Sequence, residues 1–222
     1  MATKITDNVF EYGGMKYFRG NAHLVEIGTF GEKKDPIGSK AYIDPESTVV
    51  RQNLVGRIKK GSPVGVDWGQ TTNAALEANG QMRVFGLNLS VKTNYNRDTA
   101  RAANLKLYSL SIDETPLKAM LNGDAAAARR FLADEGSDGR IVTQIWVVME
   151  AELAEHFNTS GSVNVAAGDS NLSVTASGGK SGTQKITLSA GSTFAYALSK
   201  VTNWKKDKTW VEDMEVDYKG MS

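Results

Sequence analysis

Apolar and polar residues alternate with a period of two over much of this chain, and the alternation predicts a β-rich fold. The clearest case is residues 82–92. Phe85, Leu87, Leu89 and Val91 share one face, while Gly86, Asn88, Ser90 and Lys92 share the other, the period of a strand with one wet face. A second strand is expected over 104–112. Its apolar parity changes between Leu107 and Tyr108, and a bulge near Tyr108 would account for the switch. The apolar run 141–149 is too short for a membrane helix and rich in β-branched residues. It predicts a central strand buried on both faces, continuing into the more polar 150–157. A hairpin is expected over 162–177, turning through Gly168-Asp169. A final strand over 185–201 keeps Ile186, Leu188, Phe194, Tyr196 and Leu198 at even positions.

Residues 1–65 read as short strands (15–18, 23–27, 41–43 and 49–58) joined by turns at 31–36 and 59–63. Between the two long hairpins the period becomes helical. Thr115 before Pro116 predicts an N-cap and a first turn, with Leu117, Met120 and Leu121 on one face. Asp124 predicts the cap of a second helix over 125–135, anchored by Phe131 and Leu132 and ended by Gly136. The tail, 205–222, is charged. Trp210, Met214 and Tyr218 recur there at four-residue spacing among Glu212, Asp213, Glu215 and Asp217, which predicts a short amphipathic helix. The expected fold class is α+β: a twisted, mostly antiparallel sheet with long β-hairpins and a short helical insertion. One β-rich domain is expected over 1–204, with the tail over 205–222.

Composition narrows the chemistry more than the fold. The net charge of +1 over 222 residues offers no global field for nucleic acid. The absence of cysteine removes disulfides, thiol catalysis and Cys-based metal sites. The first eight residues have no apolar core of a secretory signal. No run of about 20 apolar residues predicts a membrane helix, so entry into a membrane would require a closed set of strands. His23 and His156 are the only histidines, and each reads as a packed or surface residue. Nucleophile-elbow, P-loop and dinucleotide-binding glycine motifs are absent. The 25 carboxylates show no spacing that selects a catalytic pair. The expectation is a protein that is not an enzyme and uses no cofactor or metal. Three basic clusters remain, Arg57/Lys59/Lys60, Arg129/Arg130 and Lys205/Lys206/Lys208. Each reads first as a solvated face; gathered on one side they would bind anionic lipid.

Over about residues 80–204 the chain resembles the pore-forming N-terminal domain of the gasdermins. The likeness rests on the order of elements and on local texture. It is best at Phe131-Leu132, Gly139-Arg140-Ile141-Val142, Trp146-Val147-Val148-Met149-Glu150 and residues 185–196. The chain lacks the cysteine that bacterial gasdermins carry near their start. The resemblance implies two hairpins, 81–92 with 104–112 and 141–157 with 184–201, that unfurl and join those of neighbours into a membrane β-barrel. Phe85, Leu87, Leu89, Val91, Ile186, Leu188, Phe194 and Tyr196 would then face lipid. Arg57, Lys59, Lys60, Lys205 and Lys206 would meet anionic headgroups. Trp210, Met214 and Tyr218 would anchor an inhibitory tail that an activating protease removes. The implied setting is antiphage defence by cell death, with soluble cytoplasmic monomers that move to a membrane on activation and join into a homo-oligomer. The competing class is a self-assembling structural subunit, of a phage tail or a similar particle, which is also β-rich and free of catalytic motifs.

Overall fold

The structure, a computed structural model, describes residues 3–36, 40–72, 75–76, 83–86, 97–178, 182–205 and 207–218. Three short strands, β1 (Thr3–Ile5), β2 (Val9–Tyr12) and β3 (Met15–Phe18), form a meander. A hairpin of β4 (Thr29–Lys34) and β5 (Tyr42–Thr48) follows. Next come β6 (Ile58–Lys60), β7 (Val64–Gly65), β8 (Val84–Phe85), a short helix α1 (Arg97–Ala102) and β9 (Lys106–Ile112). Helices α2 (Glu114–Asn122) and α3 (Ala126–Glu135) lead into β10 (Gly139–Met149), and α4 (Ala151–Thr159) follows it. The chain continues through β11 (Ser162–Ala167), β12 (Leu172–Ser177), β13 (Thr183–Leu188), β14 (Ala195–Lys205) and β15 (Trp210–Asp217).

β10 is the centre of a curled, mostly antiparallel sheet of 12 strands. Along one side it pairs with β14, from Ile141↔Ser199 to Trp146↔Ala195, and then in parallel with β8. Along the other it pairs with β4 near its start and β9 near its end. The far side of β14 carries β3 at Tyr196↔Phe18 and β15 over 198–205. β11, β12 and β13 form a separate three-stranded antiparallel sheet.

The period of two deals the side chains of β10 into two cores. Ile145, Val147 and Met149 join Leu117, Met120 and Leu132 from α2 and α3, Phe157 from α4, and Val174 from the small sheet. Trp146 and Val148 join Phe10, Trp68, Leu107 and Phe194 on the opposite side. The run 141–149 is therefore a strand covered on both faces, and needs no alternation of polarity. β9 is divided in the same way, with Leu107 in one core and Tyr108, Leu110 and Ile112 in the other. Its pairing with β6 and β10 has no register shift, so two buried faces, not a bulge, explain its change of parity.

Several expectations are corrected. The strand expected over 185–201 is broken: β13 ends at Leu188, and β14 begins at Ala195 in the other sheet. The segment 150–157 is not a continuation of β10 but lies in or beside α4, which buries Ala154 and Phe157. The tail is not a helix. Residues 210–217 form β15, the edge partner of β14. Its four-residue spacing is also a multiple of the strand period of two, and the register shifts between Val201, Asn203 and Trp204 accompany the burial of both Val211 and Met214, residues of opposite parity. The turn expected at 31–36 lies largely in β4, and residues 51–54 form a 3-10 helix in place of part of the expected 49–58 strand. Asp113 and Ala125, not Thr115 and Asp124, occupy the N-caps of α2 and α3. Leu117, Met120 and Leu121 are nonetheless the buried face of α2. Gly136, at φ 60, ends α3 in the left-handed region that glycine enters without a Cβ clash.

Candidate functional site

The residues expected to face lipid are core residues where they are described. Phe85 pairs opposite Met149 and is buried in the same core. Ile186 and Leu188 point from β13 into that core, as does Tyr196 from β14. Phe194 lies in the opposite core. The even-numbered set 186–196 thus shares no single face, because the turn at 189–193 reorients the chain between the sheets. Gly191 takes φ 82 in that turn. Its N–H donates to His23 O at 2.9 Å, the Thr193 hydroxyl donates to Val25 O at 2.6 Å, and the Arg83 N–H donates to Gly191 O at 3.2 Å. Leu87, Leu89 and Val91 lie outside the described residues, as does Lys206.

The basic residues expected at headgroups are engaged within the chain. Arg57 donates to the Asp124 carboxylate at 2.7 Å and to Asn53 O. Lys59 pairs with Asp113, and Lys205 with Glu212. Lys60 Nζ donates to the carbonyls of Phe157, Asn158 and Ser160 at 3.0, 3.0 and 2.8 Å. That cation closes the C-terminal end of α4, where unpaired carbonyls and the helix dipole both favour positive charge. Arg129 does the same for α2, donating to Leu121 O and Asn122 O. Trp210 and Tyr218, expected to anchor a helix, are 41% and 38% exposed at the ends of β15, and Met214 is buried.

Sequence reasoning missed a buried ionic network. Asp217 Oδ2 accepts from Arg140 Nε at 2.8 Å and from Lys33 Nζ at 3.0 Å. These side chains are only 2%, 6% and 7% exposed. The available signal was an arginine opening the apolar run of β10, a position where an unpaired charge is costly. Arg19 is also buried. It donates to Thr6 O and Phe194 O and stacks its guanidinium 4.2 Å from the centre of the Phe194 ring. Burial pushes its pKa down to about 10, opposed by Asp7.

The tyrosines divide by partner. Tyr196 OH donates to Gly20 O at 2.6 Å and accepts from the Ile43 N–H at 3.2 Å. Burial pushes its phenol well up, and the bond from Ile43 opposes this. Tyr108 OH is buried and has no hydrogen-bond partner among the described residues, and burial alone pushes its phenol well up.

The buried polar groups are built for holding strands together. His156 is buried, with Nε2 3.3 Å from Ala176 O; His23 is exposed on a 3-10 turn. The hydroxyls of Thr143 and Ser199 meet at 2.9 Å across β10 and β14. Among the described residues no group of three or more His, Cys, Asp or Glu is placed to hold a metal ion. A depression of about 470 Å³ lies between 48–52 and 167–169, with Arg51 and Asp169 as its charged groups; Arg51 is already paired with Glu26 at 2.9 Å. Among the described residues no helix is long and apolar enough to cross a membrane, which says nothing of crossing by strands. Comparison of the chain with protein-family models, with curated proteins and with solved structures found no match.

Proposed function

We propose that the protein is a non-enzymatic, gasdermin-like pore former, held in a closed form and able to oligomerise through β-hairpins into a membrane-spanning barrel. One observation carries this reading. Residues 185–198 alternate as a single strand would, yet the fold divides them between two sheets at the 189–193 turn. Local pattern and global fold usually agree, and departures concentrate at functional sites. If the turn straightens, 183–205 becomes one strand, longer than the roughly 9–11 residues that a membrane strand needs. Ile186, Leu188, Phe194 and Tyr196 then return to one apolar face, with Lys185, Thr187 and Thr193 on the other. Barrel closure would pair every backbone group.

Anionic lipid is the partner this reading assigns. Lys59 and Lys205 are 62% and 59% exposed in their ion pairs, and exposed pairs contribute only about 0–1 kcal/mol. A lipid phosphate can replace either carboxylate. Lys60 is a poorer candidate, because leaving α4 exposes three carbonyls. On this reading the chain waits in the cytoplasm and moves to a membrane on activation, anionic lipid itself being the activator.

The test is a disulfide clamp on the small sheet. Thr175 and Lys185 are opposed on β12 and β13, and the chain has no other cysteine, so T175C/K185C forms a single reversible staple. Dye release from anionic liposomes is expected from the reduced protein, lost on oxidation and restored by reductant. Equal release in both states would overturn the hairpin opening, and no release by wild-type protein from any liposome would overturn the pore itself. Regular assemblies formed without lipid, together with no release, would favour the structural-subunit reading.

A further inference from the structure

The edges of the sheets differ sharply in how they are protected. An unpaired edge invites another strand, and folded proteins block it with charge, proline, bulges or extreme shortness. β5 carries Asp44, Pro45 and Glu46, and β15 carries four acids. β1, β6 and β13 each contain lysine, and β7 and β8 have two residues each. β11 has none of these devices. Its sequence, Ser-Val-Asn-Val-Ala-Ala, is uncharged, and its pairing with β12 runs without a register shift. Among the described residues β12 is its one strand partner and no backbone bond joins 162–167 to another element, although the 3-10 helix at 51–54 lies beside β11.

The hairpin also fixes which backbone groups point outward. Gly168 N–H donates to Asn171 O at 2.8 Å, so in the alternating antiparallel pattern the even-numbered residues of β11 bond to β12. Val163, Val165 and Ala167 therefore turn their N–H and C=O groups to the open edge. Their side chains lie half-buried on the core face, whereas those of Ser162, Asn164 and Ala166 are exposed.

We infer that β11 is a self-association edge, and that two copies of the chain pair there antiparallel about a two-fold axis to make one continuous six-stranded sheet. The occupant is a second copy because the edge matches itself: antiparallel pairing sets no like charges against each other, as it would on β5 or β15. Only an even register keeps the core faces together and matches the outward groups. Centring it on Asn164 sets Asn164 opposite Asn164 and Val163 opposite Val165 twice. A centre on Val165 would set Val165 opposite itself once and Val163 opposite Ala167 twice, one valine pair in place of two. Cross-strand contact of β-branched residues favours the first. The interface is isologous and closes at two copies. It needs no membrane, so it stands apart from the pore reading.

The experiment uses the full chain in lipid-free buffer, with mass read by sedimentation and light scattering. Wild-type protein is expected to be a dimer. Asn164→Lys and Asn164→Asp, each placing like charges face to face at an exposed position, are expected to be monomers with unchanged circular-dichroism melts. Mixing the two variants is expected to restore a dimer, now a heterodimer. Asn164→Cys is expected to cross-link spontaneously between copies. A monomeric wild type, or dimers of both charged variants, would overturn the proposal, as would a mixture that stays monomeric. Neither outcome changes what the liposome clamp measures, so the two readings fail separately.

Discussion

Arg140 donates from Nε to Oδ2 of Asp217 at 2.8 Å, although both side chains are almost sealed from water. The bond ties β10 to β15, which lie on opposite sides of β14, and Lys33 of β4 reaches the same oxygen. One carboxylate near the C-terminus thus serves three strands. Asp217→Asn keeps the shape and removes the buried negative charge that Arg140 and Lys33 share, so a loss of about 3–5 kcal/mol is expected. Urea unfolding measures it, and an unchanged midpoint would contradict the network's role. Truncation after Lys208 removes the same carboxylate with all of β15, and should yield an unstable protein, not an activated one.

Tyr196 and Tyr108 should respond in opposite directions to loss of the hydroxyl. Tyr196→Phe strands the Ile43 N–H and the Gly20 carbonyl, and a loss of about 1–3 kcal/mol is expected. Tyr108→Phe removes a buried hydroxyl that has no partner among the described residues, so stability should hold or rise by about 1 kcal/mol. Thermal melts of the two variants side by side check the contrast.

Lys60→Met should destabilise the protein by about 1–2 kcal/mol, because three carbonyls at the end of α4 lose their shared donor. Hydrogen exchange should show the loss concentrated in 151–159. A variant with normal exchange and weaker liposome binding would instead make Lys60 a lipid contact.

Stability should fall at alkaline pH. Burial raises the Tyr108 and Tyr196 phenols above their ordinary value of 10.0, so the unfolded chain releases these protons first. Their contribution is fully present below pH 10 and is lost as pH climbs toward the folded values, by about 1.4 kcal/mol per pH unit for each phenol. Arg19, pushed down to about 10, acts in the opposite sense over the same range and softens the slope. Denaturant unfolding at a series of pH values above 9 tests the sign. Tyr108→Phe should flatten the fall.

Some of this architecture is legible in the sequence because neighbouring residues are enough to set it. The run 141–149 is apolar at both parities, and its short length and β-branched residues favour a strand covered on both faces over a buried helix. Leu117, Met120 and Leu121 mark one face of α2 by their spacing, and Gly136 stops α3. The hairpin at 162–177 follows from alternation around Gly168-Asp169.

Other features depend on partners distant in sequence. Alternation over 185–198 is satisfied equally by one strand or two, and contacts of the 189–193 turn with His23, Val25 and Arg83 decide for two. Four-residue spacing over 210–218 suits a helix, but pairing with β14 through shifted register makes it a strand. Lys59, Lys60 and Arg57 look like one basic patch until the fold brings up Asp113, the end of α4 and Asp124. The sequence determined where apolar surface must be buried and where the backbone can turn, because side-chain period and glycine act locally. Only the tertiary structure decided which strands share an edge and which charges are neutralised, because both depend on groups that chain folding brings from far away.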